Sequence, residues 1–171
     1  ASEFIFCALE QNLDIAATRK NYVDYLAHRP RVEKIGEHGL FTDEGEPVVL
    51  GQVQNQVADH KGIVWTHVIS LRREDAARLG YDSAVQWMAL LRSKRAMLCK
   101  HMKIDSANLK WYAAFHNESH HPHVHLLVYS VKDGEGYLTK QSIEAMRSEL
   151  AHDIFRQDFA NIYEEQAQSR M

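Results

Sequence analysis

Residues 111–131 read WYAAFHNESHHPHVHLLVYSV, and this stretch decides the fold. Residues 111–115 and 124–131 are rich in aromatic and β-branched side chains, which favours two strands. Residues 117–122 between them form a polar, turn-like break that is typical of a short connection. The stretch therefore predicts two consecutive strands that pair antiparallel within a sheet.

The same stretch holds five of the eleven histidines of the chain. Side chains alternate between the faces of a strand, so His123 and His125 share one face while Val124 and Leu126 share the other. If the strands pair antiparallel, His116 approaches the two histidines from the neighbouring strand. Three neutral imidazoles leave open positions on a divalent ion, which is typical of a catalytic site. A solvated histidine-rich turn or a chance cluster of core histidines is the alternative interpretation.

The histidine stretch resembles the third motif of conjugative and mobilization relaxases of the HUH endonuclease superfamily, in particular of the MobP/MobL branch. That motif has a histidine, an acidic residue two positions later and a downstream His-hydrophobe-His, which here are His116, Glu118, His123 and His125. Further similarity lies in residues 21–34 (NYVDYLAHRPRVEK), 37–41 (EHGLF) and 69–76 (ISLRREDA). These blocks follow the family's order and spread over most of the chain.

The resemblance implies an enzyme that nicks and rejoins one DNA strand at a plasmid or integrative-element transfer origin through a 5′-phosphotyrosyl intermediate. It implies a divalent metal ion (Mn²⁺, Mg²⁺ or Zn²⁺) on His116, His123 and His125. The implied partners are single-stranded DNA of the nic region and its adjacent hairpin, accessory relaxosome proteins and a coupling protein. The alternative interpretations are a rolling-circle replication initiator of the same superfamily, a non-catalytic metal- or DNA-binding module, and a mononuclear zinc hydrolase.

The family's nucleophile lies near the N-terminus, in a segment that resembles Tyr25 to Arg29, so Tyr25 is the first candidate. Tyr22 lies three residues earlier on the same helix face and is the alternative. Tyr112, four residues before His116 on the same strand, is a distant third. Packing of the helix tyrosines against the sheet is the structural alternative.

Glu118 occupies the position of the family's acidic residue and is a candidate catalytic residue. It could accept the second ring N–H of a ligand histidine, or it could be a solvated turn carboxylate. His121 could replace His116 as a ligand if the turn folds inward. The candidate DNA-binding residues are Arg29, Arg31, Arg72, Arg73 and His121, with surface salt bridges as the alternative for the arginines.

A length of 171 residues with 45% hydrophobic and 25% charged residues is typical of one globular domain. No apolar run reaches the length of a membrane span and no signal peptide is recognisable, which favours a cytoplasmic protein without membrane insertion. The resemblance to relaxases implies that the protein is bacterial. A net charge of −3 does not itself favour DNA binding, so a local basic cluster is needed. Because the chain lacks an initiator methionine, we expect residues 1–171 to be a relaxase catalytic domain excised from a longer protein.

The rest of the pattern mixes helices and strands without strict alternation. It predicts strands over residues 4–9 and 63–71, and helices over residues 15–28, 50–60, 75–79, 84–101 and 140–168. We therefore expect a single α+β domain with an antiparallel central sheet and helices packed on one face of it.

Overall fold

The computed structural model describes residues 4–10 and 16–169, and the side chains of residues 4–6 and 18–169. In this part of the chain one antiparallel sheet has the strand order β1-β2-β4-β3. Its strands are β1 (Phe4–Glu10), β2 (Trp65–Leu71), β3 (Leu109–His116) and β4 (His123–Ser130). The predicted antiparallel sheet and the direct pairing of the two histidine-bearing strands are thus confirmed.

Two of the predicted helices are each divided in the structure. The helix predicted over residues 84–101 is interrupted after Arg92, where the Ser93 hydroxyl donates to the Leu90 carbonyl and competes with the helical hydrogen bonds. The helix predicted over residues 140–168 breaks at Phe155, whose buried ring packs edge-on against Phe4. The helices are α1 (Ala16–His28), α2 (Leu50–Asp59), α3 (Arg73–Leu79), α4 (Ala84–Arg92), α5 (Arg95–Met102), α6 (Lys140–Ile154) and α7 (Arg156–Ser169). The predicted start of α1 at Ile15 lies outside the described residues.

Helices cover both faces of the sheet, so the prediction of one covered face was wrong. Val124, Leu126 and Val128 of β4 pack into a core with side chains of α4, α5 and α6. Leu127 and Tyr129, on the opposite face of the same strand, pack with side chains of α1 and α2. A strand that is apolar on both faces needs cover on both faces, and the consecutive apolar residues of β4 already indicate this.

Arg19 fixes α1, the helix that carries the candidate tyrosines. Its guanidinium is buried and donates to the carbonyl groups of Val57 (3.2 Å), Gly62 (2.9 Å) and His60, at and just beyond the C-terminal end of α2. Positive charge is favourable at this end of a helix, where carbonyl groups lack helical partners. The contact therefore joins α1 and α2 into one layer over the histidine-bearing face.

The segment after α1 covers the outer edge of β3. Phe41 and Ala113 exchange backbone hydrogen bonds of 2.9 Å in both directions, and Val32 forms a bridge with His116. A Cβ atom at Gly39 would lie 2.3 Å from the side chain of Val32, so this close approach requires glycine. The covered edge is protected from pairing with other chains, and the segment is held beside the end of β3.

His67 of β2 is a buried histidine on the face opposite the other sheet histidines. Its side chain is fully buried, its ring stacks on Phe6 at 5.3 Å, and its Nε2 atom lies 3.4 Å from the Met102 sulfur. Its Nδ1 atom has no hydrogen-bond partner among the described residues. Burial lowers the pKa of His67 from 6.5 to about 4, so the folded protein holds this ring in its neutral form.

We expect His67→Leu to make the fold less sensitive to acid. The folded-state pKa lies below the unfolded value, so the stability that neutral His67 contributes is present above pH 6.5 and is lost as the pH falls toward 4. This loss amounts to about 3 kcal/mol. Urea unfolding at pH 7 and at about pH 4.5 measures it, with the exposed His152→Leu as the control. Equal acid sensitivity of the two variants would contradict the prediction.

Candidate active site

Three histidines converge on the face of the β3–β4 pair that α1 and α2 cover. His116 lies opposite His123 in the strand register, and His125 follows two residues later on the same face. The three ring centroids lie 4.8 to 5.3 Å apart. One nitrogen from each ring lies within 4.8 Å of the others, which is close enough for one metal ion. The structure thus brings together the three histidines that the sequence analysis selected.

Backbone carbonyl groups orient two of these rings. His116 is completely buried, and its Nε2 atom donates to the carbonyl of Leu26 in α1 at 3.1 Å. The Nδ1 atom of His123 donates to the carbonyl of His121 at 3.0 Å. A hydrogen bond at the second ring nitrogen fixes the tautomer and the ring direction of a metal-binding histidine. The loop and α1 therefore set the orientation of the triad.

The other ring nitrogens are available to a metal ion. Among the described residues, the Nδ1 atom of His116 and the Nε2 atom of His125 are buried and have no hydrogen-bond partner. Buried polar atoms without a partner are rare in proteins, and an ion or a water molecule bound between two such atoms is one explanation. A set of three imidazoles fits Zn²⁺ or Mn²⁺ and leaves open coordination positions. The residues present therefore fit a divalent metal ion.

The triad is held in its metal-binding protonation state. Burial lowers the pKa of His116 to about 4, that of His125 to about 3, and that of His123 below its usual value. The positive charge of Arg29 lowers all three pKa values further. Neutral imidazole is the form that binds a metal ion, so all three rings can do so near pH 7.

Both candidate tyrosines of α1 lie beside the triad, but in different surroundings. Tyr22 is half-buried, its hydroxyl lies 3.5 Å from the Nδ1 atom of His125, and burial raises its pKa to about 12. Tyr25 is 46% exposed, and its ring faces His116 edge-on with 6.4 Å between ring centroids. The guanidinium carbon of Arg29 lies 5.3 Å from the centre of the Tyr25 ring. Tyr25 is thus the more exposed of the two tyrosines.

Glu118 forms ion pairs with arginines. Its carboxylate lies 3.4 Å from a guanidinium nitrogen of Arg29 and 3.7 Å from the Nε atom of Arg31. The ring N–H groups of His116 and His123 donate to backbone carbonyl groups, which therefore take the acceptor role that was predicted for Glu118. A catalytic role of Glu118 stays a prediction.

Arg73 holds the loop that joins β3 to β4. Its guanidinium donates to the Asn117 side-chain oxygen at 2.7 Å, to the Ser119 carbonyl at 3.1 Å, and to the Glu118 carbonyl. Its backbone N–H donates to the His120 carbonyl at 2.9 Å. These hydrogen bonds fix the loop between β3 and β4. A DNA contact of Arg73 stays a prediction.

We expect Arg73→Met to destabilise the loop and the triad together. The variant removes charge-assisted hydrogen bonds to three loop residues, and we expect the free energy of unfolding to fall by about 1–3 kcal/mol. Metal affinity should also fall, because the loop supplies the carbonyl that orients His123. Urea unfolding and calorimetric metal titration measure both effects. Arg72→Met is the matched control, and equal losses in the two variants would argue against a loop-specific role.

The remaining candidates lie outside the triad. His116, not His121, completes the histidine cluster, and the side chain of His121 is exposed. Arg72 pairs with Asp75 at 3.3 Å. Tyr112 is buried, and its hydroxyl donates to the side-chain oxygen of Gln56 at 3.4 Å.

Fold and site together define an α+β domain with a three-histidine candidate metal centre and a solvent-exposed tyrosine beside it. A family model described as MobL relaxases matches residues 9–171, so the chain belongs to the MobL relaxase family. The resemblance to mobilization relaxases is thus confirmed, and the chain is an enzyme of the class that nicks DNA at transfer origins. No curated protein and no solved structure matches the chain. Among the helices of residues 16–169, none has the length and apolar character needed to cross a membrane.

Proposed function

We propose that the chain nicks and rejoins one DNA strand through a covalent 5′-phosphotyrosyl intermediate, with Tyr25 as the nucleophile. A divalent metal ion on His116, His123 and His125 would serve the reaction. The observation that carries the proposal is the exposed Tyr25 beside a cluster of three histidines, in which His116 and His125 each have a buried ring nitrogen without a partner among the described residues. Membership of a relaxase family supports the same reaction.

The surroundings of the two tyrosines favour Tyr25 over Tyr22. A nucleophile must reach a phosphorus atom that arrives from solvent, and Tyr25 is 46% exposed. The hydroxyl of Tyr22 lies at the Nδ1 atom of His125, whereas the unpartnered nitrogen of that ring is Nε2. Tyr22 therefore suits the orientation of a metal-binding histidine better than attack on DNA.

The chemistry is a transesterification that conserves the number of phosphate esters. His116, His123 and His125 would hold the metal ion, whose charge would polarise the non-bridging oxygens of the scissile phosphate and offset the charge that develops there. The Tyr25 oxygen forms a bond to phosphorus while the bond from phosphorus to the 3′ oxygen breaks. The phenol proton passes to solvent, and the 3′ oxygen takes up a proton. The free 3′ hydroxyl can reverse the step, which rejoins the strand.

Arg29 supports this step from the side of the tyrosine ring. A phenol needs a nearby base or positive charge to act as a nucleophile at neutral pH. The guanidinium carbon of Arg29 lies 5.3 Å from the ring centre of Tyr25, so its positive charge lies beside the proposed nucleophile. We propose single-stranded DNA of the nic region and its adjacent hairpin as the substrate of the chain. Accessory relaxosome proteins and a coupling protein are the proposed partners.

The decisive experiment is a search for the covalent adduct. The chain is incubated with 3′-labelled single-stranded DNA from the transfer origin of its own genetic element, with Mn²⁺ or Mg²⁺ or with a chelator. We expect a labelled adduct that survives denaturation and forms only with metal. Cleavage without an adduct would instead favour a metal-dependent hydrolase, and DNA binding without cleavage would favour a non-catalytic module.

A further inference from the structure

Two arginines at the edge of the triad share one carboxylate. The Oε1 atom of Glu118 lies 3.4 Å from Nη2 of Arg29, and the Oε2 atom lies 3.7 Å from Nε of Arg31. All three side chains keep contact with solvent, since Arg29, Arg31 and Glu118 are 30%, 57% and 29% exposed. Each carboxylate oxygen thus faces a different guanidinium group in a partly open site.

This ion-pair group lies at the candidate active site. Arg29 stands over the ring of Tyr25, and that ring faces His116. The carbonyl of Arg31 accepts a hydrogen bond of 2.8 Å from the backbone N–H of Asn117, one residue after His116. A molecule that binds both arginines would therefore lie next to the nucleophile and the histidines.

The backbone of Arg31 is held in an uncommon conformation. Its φ is 75°, in the left-handed region that residues with side chains rarely adopt. The hydrogen bond from Asn117 and the neighbouring bridge between Val32 and His116 hold it there. Such strain is often stored at functional sites, where it fixes the direction of a side chain.

Both contacts of Glu118 are loose. Charge-assisted hydrogen bonds between nitrogen and oxygen are typically 2.7–2.9 Å long, and partly exposed ion pairs contribute little to stability. Arg73, by contrast, donates a short hydrogen bond of 2.7 Å to the side-chain oxygen of Asn117 in the loop between β3 and β4. Arg29 and Arg31 are therefore easier to separate from their present partner than Arg73 is.

We propose that Arg29 and Arg31 form a binding site for a backbone phosphate of the DNA strand, and that Glu118 fills this site in the free protein. The inference rests on the proposed function, because the strand must approach the histidine triad. A phosphodiester offers two non-bridging oxygens and one negative charge, as the carboxylate does, and guanidinium groups bind both in the same two-point geometry. Each strand that binds displaces Glu118, so this carboxylate lowers the affinity for DNA.

Removal of the Glu118 charge tests this competition directly. The dissociation constant of single-stranded transfer-origin DNA is measured by fluorescence anisotropy with the metal-free chain, so that no nicking occurs. We expect Glu118→Gln to bind DNA about tenfold more tightly than the unchanged protein. Glu37→Gln removes the same charge from an exposed position of the segment after α1, and screening by salt should limit its effect to less than about twofold. Equal gains in the two variants would overturn the proposal.

A double-mutant cycle shows whether the gain in DNA affinity depends on Arg29 and Arg31. In an Arg29→Gln, Arg31→Gln background, Glu118→Gln is expected to give no gain in affinity, because the site that it frees is gone. A gain that persists in this background would refute the assignment. Inorganic phosphate at the same ionic strength is expected to compete weakly. If inorganic phosphate abolished the gain in DNA affinity of Glu118→Gln, a free anion rather than the DNA strand would be the ligand of this site.

The outcomes separate this inference from the proposed function. If the unchanged protein binds no single-stranded DNA, the proposed function fails and this inference falls with it. If the protein binds DNA and forms the adduct, but Glu118→Gln leaves the affinity unchanged, only this inference fails. Thermal unfolding verifies that Glu118→Gln stays folded, and Glu118→Ala is the second variant if it does not.

Discussion

Tyr25→Phe is expected to abolish the covalent adduct and to leave metal binding unchanged. The substitution removes one hydroxyl from an exposed ring, so the contacts of the ring with Arg29 and His116 stay available. Tyr25 supplies the oxygen of the proposed phosphotyrosyl ester, so the variant lacks the attacking atom. We therefore expect adduct formation to fall by at least about 10⁴-fold. A denaturing gel with labelled DNA measures the adduct, and calorimetry measures the metal affinity.

Tyr22→Phe is the matched comparison, because it removes the same group from the neighbouring helical turn. Its hydroxyl lies 3.5 Å from the Nδ1 atom of His125 and supports that ring from the side opposite the proposed metal. Loss of such support typically lowers metal affinity by about 10- to 100-fold. We therefore expect Tyr22→Phe to form the adduct once the metal concentration is raised. If the adduct persists in Tyr25→Phe and is absent from Tyr22→Phe at saturating metal, Tyr22 is the nucleophile.

Strand periodicity predicted that His123 and His125 point to the same face of the sheet. The alternation of His123 and His125 with apolar residues fixed their common face, and the short connection fixed which strand pairs with them. His116 was assigned by its place on the adjoining strand and by the spacing of the relaxase motif, with His121 as the alternative, and the register places His116 directly opposite His123. These are local properties of a hairpin, and the sequence of residues 111–131 contains all of them.

Partners from distant parts of the chain were not predictable in the same way. Glu118 pairs with Arg29 and Arg31, which lie more than 85 residues earlier in the sequence. His116 donates to the carbonyl of Leu26, and every residue has a carbonyl, so the sequence gives no signal for this bond. Arg73 contacts the loop because strand β2 ends beside it. These contacts depend on how the helices and strands pack against one another, which local sequence patterns do not encode.

The division of the two helices likewise depends on contacts that apolar spacing does not encode. The break after Arg92 needs only one serine hydroxyl to compete for a carbonyl, and serine is often tolerated within helices. The break at Phe155 occurs where an aromatic ring finds a place in the core. The apolar residues have helical spacing on both sides of each break. Periodicity therefore identified the helical residues but not the change in direction of the helix axis.

His123→Ala is expected to remove metal binding while the fold persists. His123 is partly exposed, and its hydrogen bond to the His121 carbonyl lies at the start of strand β4, so its loss costs little stability. Loss of one of three ligands should weaken metal affinity by at least about 10³-fold and stop adduct formation. His116→Ala is a poorer test, because this fully buried ring also joins β3 to the Leu26 carbonyl of α1, and its removal should cost about 2–4 kcal/mol.

Thermal unfolding with and without metal distinguishes a lost ligand from a damaged fold. A metal ion that binds only the native state stabilises it by about 2.7 kcal/mol at a hundred times its dissociation constant, so metal should raise the Tm of the unchanged protein. We expect no such rise for His123→Ala. His121→Ala is the matched control, because it removes an exposed imidazole from the same loop and keeps the carbonyl that accepts the hydrogen bond from His123. A full metal-dependent rise in His123→Ala, or its loss in His121→Ala, would show that the metal is held by a different set of histidines.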